Sequence, residues 1–182
     1  MHSLKLVLAI GVLAVLAVAN TSQGKASDSD YITQALAAAP PGVASGAAVV
    51  RIEKNGSMTT LRAGKNGFTC LLLAPTSGVC ADANAMEFMQ ALMKHAAAPP
   101  DKIGVAYMLS GDAPGASNTD PWAQSKTPDN HWVVTGPHIM LMGPGAKALG
   151  YPTTKDADPT KPYMMWAGTP YEHAMIPVGS TK

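Results

Sequence analysis

The order of hydrophobic and polar positions predicts a short helix followed mainly by strands. Residues 31–39 are rich in alanine and leucine and predict a short helix. Residues 28–30 are aspartate or serine and can cap its N-terminus, and the Pro-Pro-Gly sequence at 40–42 ends it. From Ala47 onwards, short apolar runs alternate with turn residues, which is typical of strands. We therefore predict an N-terminal segment with a short helix at 20–46 and a single globular domain at 47–182.

Two of the apolar runs predict a β-hairpin. Residues 47–52 and 58–62 flank Asn55-Gly56, and this dipeptide between two such runs is the strongest short-range hairpin signal. We favour this turn over a glycosylation acceptor at Asn55-Gly56-Ser57. Further extended runs predict strands at residues 67–73, 103–109, 132–134, 138–142, 163–166 and 173–178.

A longer helix is predicted at residues 83–95, with Asp82 as its N-cap. Four apolar residues recur there at spacings of three and four: Met86, Met89, Leu92 and Met93. Such a stripe lies on one face of a helix, and core packing requires that pattern. We therefore favour a buried helix face over a ladder of metal ligands.

Residues 110–128 are mostly small or polar, with Trp122 near the middle of the stretch. Long polar loops are uncommon in compact domains, and many of them are functional or close over a site as a lid. A second glycine-containing stretch, residues 143–150, lacks the Lys-Ser/Thr ending of a phosphate-binding loop and is interpreted as a turn.

This element order indicates an α+β fold. We predict an antiparallel or mixed β-sheet with one principal helix packed on a face, and a long polar loop at 110–128.

The first residues have the pattern of an export signal. Lys5 precedes an apolar run at residues 6–18, and Ala17-Val18-Ala19 matches the small-residue cleavage site. A helix of that run would span about 20 Å, short of the roughly 30 Å of bilayer hydrocarbon. We predict a signal peptide at 1–19, with cleavage after Gly24 as the alternative, a periplasmic or secreted protein, and no stable membrane insertion after cleavage.

Charge and cysteine content indicate which partners and which covalent links the protein has. The formal net charge of the chain is +1. Binding to nucleic acid or to an anionic membrane requires clustered lysine and arginine, so we predict neither partner. The two cysteines, Cys70 and Cys80, would meet an oxidising compartment after export. We predict a structural disulfide between them, because redox catalysis uses closer spacing and zinc sites need more ligands.

Several blocks of sequence resemble a known family. They are NGFTC at 66–70, IGVAYMLSGDAPGASNTDPWA from Ile103, GPHIMLM from Gly136 and GTPYEHAMIPV from Gly168. Together they resemble a family of small exported bacterial proteins of uncharacterised function, over residues 47–178. The resemblance implies one exported domain and transfers no site residue.

The most specific chemistry lies in two predicted strands that each place a histidine two residues before a methionine. Strand alternation directs His138, Met140 and Met142 to one face, and it does the same for His173 and Met175. If the strands are neighbours, imidazoles and thioethers converge, and this ligand set suits Cu(I). The alternative is that both are core strands with methionine as filler and hydrogen-bonded histidines.

We therefore predict a cell-envelope binding protein for Cu(I) or a small polar ligand, with copper as the candidate cofactor and no protein partner identified. A small hydrolase is the first alternative, with His138 or His173 paired to Asp112, Asp120 or Glu172. No catalytic motif assigns such roles, so we name no catalytic residue. A structural or interaction module is the other alternative.

Overall fold

The computed structural model describes residues 27–99 and 101–179. Within these residues the helices are α1 (Asp28–Leu36), α2 (Pro41–Ala44) and α3 (Ala83–Met93), with a 3₁₀ helix at Pro144–Leu149. The strands are β1 (Ala48–Ile52), β2 (Met58–Arg62), β3 (Thr69–Ala74), β4 (Ser77–Ala81), β5 (Gly104–Met108), β6 (Ala116–Ser117), β7 (Trp132–Val133), β8 (His138–Met142), β9 (Tyr163–Met165) and β10 (His173–Pro177). The predicted signal peptide at 1–19 and the alternative cleavage after Gly24 lie outside the described residues.

Eight strands form one mixed sheet in the order β2-β1-β3-β4-β5-β8-β10-β9, and β6 and β7 form a separate two-stranded ribbon. The β1–β3 pair is parallel, and the other pairs of the large sheet are antiparallel. Helix α3 packs on β5 and β8. The predicted α+β class, with a mixed sheet and a helix on one face, is confirmed.

Helices α1 and α3 cover opposite faces of the sheet. Adjacent strand residues point to opposite sides, and on β3 Cys70 belongs to the apolar cluster of α1. Its neighbour Leu71 belongs to the cluster that contains Phe88 of α3. Helix α1 comes from the predicted N-terminal segment and begins at Asp28, because the Ser27 side chain accepts a hydrogen bond from Asp30 N and so caps it.

The hairpin and the disulfide are both present as predicted. Strands β1 and β2 pair antiparallel around the turn, where Gly56 has φ +80°. Cys70 and Cys80 lie directly opposite each other on β3 and β4, are bonded, and are fully buried. Their disulfide therefore closes the β3–β4 hairpin beneath α1.

Strand β4 was not predicted, because glycine and small residues weaken its strand pattern. The glycine has a packing reason. A Cβ atom on Gly78 would lie 3.2 Å from Ala38 Cβ and 3.3 Å from Gln34 O, so its absence lets the α1 region approach the sheet closely.

Helix α3 begins where Asp82 accepts a hydrogen bond from Ala85 N, as the sequence predicts. Its Met86 and Met89 are buried in the core. Leu92 packs against the same core, whereas Met93 is 46% exposed, so Met93 alone of the four predicted residues lies at the edge of the core face. In the described part of the chain, no helix combines the length and the apolar character needed to cross a bilayer.

Two predicted loops contain regular structure. The ribbon strand β6 lies inside the 110–128 loop and pairs with β7. The turn predicted at 143–150 forms the 3₁₀ helix, which begins at Pro144 and ends before Gly150, a residue in the left-handed conformation.

Candidate functional site

The predicted alternation of β8 is present. His138, Met140 and Met142 are buried, while the residues between them are partly exposed. Met140 and Met142 belong to the apolar cluster on the α3 side of the sheet. On β10, Met175 belongs to the same cluster, and strand alternation places His173 on the same side as Met175.

Strand register determines which of these side chains are neighbours. Strand β8 lies between β5 and β10, and all three run antiparallel to the strand beside them. The pairs on the α3 side are Met108–His138, Met140–Met175, Met142–His173 and, between β9 and β10, Met165–His173. Side chains that lie directly opposite have Cβ atoms about 5 Å apart.

The two histidines stand at opposite ends of the β8–β10 ladder. His138 lies opposite Pro177 and His173 lies opposite Met142, which separates the two histidines by four residues along the strands. At about 3.4 Å per residue along the strands and about 4.8 Å between them, their backbones are roughly 14 Å apart. The strands are neighbours, but the two histidines are not paired across the sheet. His138 lies opposite Met108 and Pro177, and His173 lies opposite Met142 and Met165.

A cavity of about 350 Å³ lies above this part of the sheet. Seven of the chain's 11 methionines line it, and both histidines line it as well. The methionines are Met89 and Met93 of α3, Met108 of β5, Met140 and Met142 of β8, Met165 of β9 and Met175 of β10. We refer to this space as the methionine cavity.

The 110–128 loop covers part of the methionine cavity, and Pro114, Gly115 and Gln124 contribute to its lining. Trp122 attaches the loop to the end of α3, because its indole Nε1 donates a hydrogen bond to Leu92 O at 3.3 Å. The Trp122 ring also stacks on His95 at a centroid distance of 4.6 Å. The loop therefore has the position of a lid over the strands that begin with His138 and His173.

His138 has one ring nitrogen with a partner and one without. Its Nδ1 lies 2.7 Å from Gly136 O, and a carbonyl only accepts hydrogen bonds, so Nδ1 carries the proton. The other nitrogen, Nε2, is buried and has no hydrogen-bond partner. Burial also lowers the pKa of His138, so the ring is neutral at pH 7 and Nε2 keeps its lone pair.

His173 is held in a similar way. Its Nδ1 lies 3.0 Å from Tyr171 O, and its ring meets Trp166 edge-on at a centroid distance of 4.8 Å. Burial lowers the pKa of His173 to about 4; the hydrogen bond to Tyr171 O opposes this shift, and His138 adds to it. His173 is therefore also a neutral imidazole across the physiological pH range.

Asp112 carries the one carboxylate among the described residues that line the methionine cavity. Its Oδ1 accepts a hydrogen bond from Thr135 N at 2.7 Å. Burial raises the pKa of Asp112 to about 6, against the lowering effect of its backbone hydrogen bonds. At neutral pH the cavity therefore borders on a poorly solvated negative charge.

Two of the three carboxylates predicted for the hydrolase alternative do not line the methionine cavity. Asp120 accepts from Trp122 N within the loop, and Glu172 accepts from Gly168 N. The Nδ1 atoms of His138 and His173 bond to main-chain carbonyls instead of carboxylates. The structure thus places Asp112 at the cavity without joining it to either ring by a hydrogen bond.

Sequence reasoning missed part of the cavity lining. Met108 and Met165 each face a histidine across the sheet, and neither was named as a candidate. Both lie in strands that were predicted, but only the register shows that they meet β8 and β10. Within residues 27–99 and 101–179, no three His, Cys, Asp or Glu side chains form a metal-binding group. A metal site here would therefore have to use thioethers.

Comparison of the chain with protein-family models, with curated proteins and with solved structures gives no match.

Proposed function

We propose that this protein is an exported Cu(I)-binding protein of the cell envelope and that the methionine cavity holds the ion. The observation that carries the proposal is the buried, unpartnered Nε2 of His138 on a cavity lined by seven methionines. A buried polar atom without a partner costs about 1–3 kcal/mol, and coordination of a metal ion would remove that cost.

The ligand set suits this ion. Cu(I) is soft and favours thioether and imidazole ligands over carboxylate and water. Met108 lies directly across from His138, and Met140 is two residues along the same face of β8. The hydrogen bond from Nδ1 to Gly136 O fixes the ring orientation and the tautomer, as carbonyl partners of metal-bound histidines commonly do.

Charge balance supports the same site. A cation in an apolar cavity is costly unless an opposite charge lies nearby. Asp112 supplies that charge, and a bound cation would in turn favour its ionised form. The lining is dominated by methionine, so we favour the soft metal over the small polar ligand.

The cellular location is part of the proposal. A buried disulfide between Cys70 and Cys80 fits an oxidising compartment, and the apolar run at 6–18 has the form of an export signal. Envelope compartments are where a protein that handles copper through methionine and histidine would be expected to work.

The test is Cu(I) affinity of the purified protein, measured by competition with a chromophoric chelator. We expect one-to-one binding tighter than about 1 μM, which corresponds to roughly 8 kcal/mol. His138→Ala should weaken it at least about 100-fold, because it removes the imidazole ligand. His131→Ala is the matched control, since His131 pairs with Asp156 and does not line the cavity.

Two results would contradict the proposal. One is the absence of stoichiometric binding by the folded protein. The other is an affinity of His138→Ala equal to that of His131→Ala, whether both are unchanged or both are weakened, which would show that His138 is not a ligand. Circular dichroism in the near-ultraviolet range, recorded for each variant, separates loss of a ligand from loss of the fold.

A further inference from the structure

Met93 differs from the other methionines of the cavity in its exposure. It is the last residue of α3 and is 46% exposed, whereas the other six are at most 6% exposed. It nevertheless lines the same cavity. One thioether therefore stands at the boundary between the cavity and solvent, and the rest are inside.

The surroundings of Met93 show that this boundary is the mouth of the cavity. Leu73, at the end of β3, is 51% exposed and also lines the cavity. Gln124 of the 110–128 loop is exposed and completes the rim. Met93 is thus one of the exposed lining residues and carries the one exposed thioether among them, so an ion that enters from solvent can reach its sulfur.

A second thioether continues the path inward. Met89 lies one helical turn before Met93 on α3, and residues four apart on a helix have Cβ atoms about 5–6 Å apart. Met89 is 6% exposed and belongs to the core cluster that contains Met142 and Met165. Thioether side chains therefore line the cavity both at its mouth and beside the sheet.

We propose that Met93 is the exchange ligand through which Cu(I) passes between the cavity and an external carrier that holds the ion by sulfur or nitrogen donors. During loading one bond from copper to the protein forms as one bond to the carrier breaks, and during release one bond to the carrier forms as one bond to the protein breaks. The ion remains Cu(I), so no electron is transferred and no proton is required. The inference rests on the proposed Cu(I) function.

An exchange ligand has a kinetic signature that a ligand of the bound state does not have. Removing it slows loading and release together, and the equilibrium affinity stays the same because the final ligands are unchanged. Met93→Leu removes the sulfur and keeps a helix-forming side chain of similar volume at an exposed position, so the fold is preserved.

The experiment is stopped-flow transfer of Cu(I) between the protein and a chromophoric chelator, measured in both directions. We expect Met93→Leu to lower both rate constants about tenfold and to leave the affinity within about twofold. Met58→Leu is the matched control, because Met58 lies on β2 and does not line the cavity. It should leave rates and affinity unchanged.

The outcomes are distinct. Unchanged rates in Met93→Leu, with normal affinity, would overturn the exchange role and leave the Cu(I) function intact. A large loss of affinity would also overturn it, because Met93 would then be a ligand of the bound ion. Failure of the unaltered protein to bind Cu(I) would instead overturn the proposed function, and the inference with it.

Discussion

Replacement of Asp112 by asparagine should stabilise the protein at neutral pH. Burial raises the pKa of Asp112 from 3.8 to about 6, so ionisation of the folded protein is less favourable than ionisation of the unfolded chain. A shift of this size corresponds to about 3 kcal/mol at pH 7. Asp112 keeps partial contact with solvent, which reduces the expected gain in Asp112→Asn to about 1–2 kcal/mol.

The size of this stabilisation depends on pH. Because the folded pKa is raised, the wild-type carboxyl imposes no cost below pH 3.8 and imposes the full cost above about pH 6. Asparagine carries no charge at any pH and keeps an oxygen that can accept from Thr135 N. The advantage of the variant should therefore be present at pH 7.5 and absent at pH 3.5.

The assay is urea unfolding of wild type and Asp112→Asn at these two pH values, with Asp129→Asn as an exposed control from the adjoining segment. Equal stability at pH 7.5, or an equal gain at both pH values, would refute the reasoning. If Asp112 balances the charge of bound Cu(I), the same variant should bind the ion about tenfold more weakly. Stability and affinity would then change in opposite directions.

The remaining predictions concern the disulfide, a close helix–sheet contact and acid sensitivity. Replacing Cys70 and Cys80 by alanine should lower the free energy of unfolding by about 2–3 kcal/mol, measured in urea, because the short closed loop regains its entropy. Gly104→Ala should lower the melting temperature measurably, since its Cβ would lie 2.1 Å from Ala85 N. For His173, whose pKa falls from 6.5 to about 4, stability should be full above pH 6.5 and decrease by roughly 3 kcal/mol down to pH 4. Urea titrations across that range are best performed in the Asp112→Asn variant, because the Asp112 carboxyl changes stability in the opposite direction over the same pH range. A free energy of unfolding that does not change with pH would contradict a buried, neutral His173 ring.

Patterns of a few adjacent residues predicted several elements of the structure. The hairpin turn at Asn55-Gly56, the cap at Asp82 and the alternation of residues 138–142 are properties of a few adjacent residues, and the structure has all three. The same holds for the Cys70–Cys80 disulfide, whose partners are ten positions apart. Each of these features can be predicted from residues that are close together in the sequence.

The arrangement of the site depends on contacts between residues that are far apart in the sequence, which a pattern of adjacent residues does not predict. Strands β5, β8 and β10 become neighbours across long intervening segments, and their register decides that His138 meets Met108 and that His173 meets Met165. The missed strand β4 has a similar cause, because Gly78 is explained only by the approach of the α1 region. These features follow from packing between distant parts of the chain.

The contact between Trp166 and His173 gives the protein an optical reporter. Trp166 is 9% exposed and meets the imidazole edge-on, so its emission should be blue-shifted and sensitive to any charge that arrives beside that ring. Trp122 on the loop is 41% exposed and should emit at longer wavelength. The third tryptophan, Trp132, also lines the cavity and would contribute to the same spectrum. In a Trp132→Phe variant, intrinsic fluorescence can therefore follow the cavity floor and its covering loop separately, without a label.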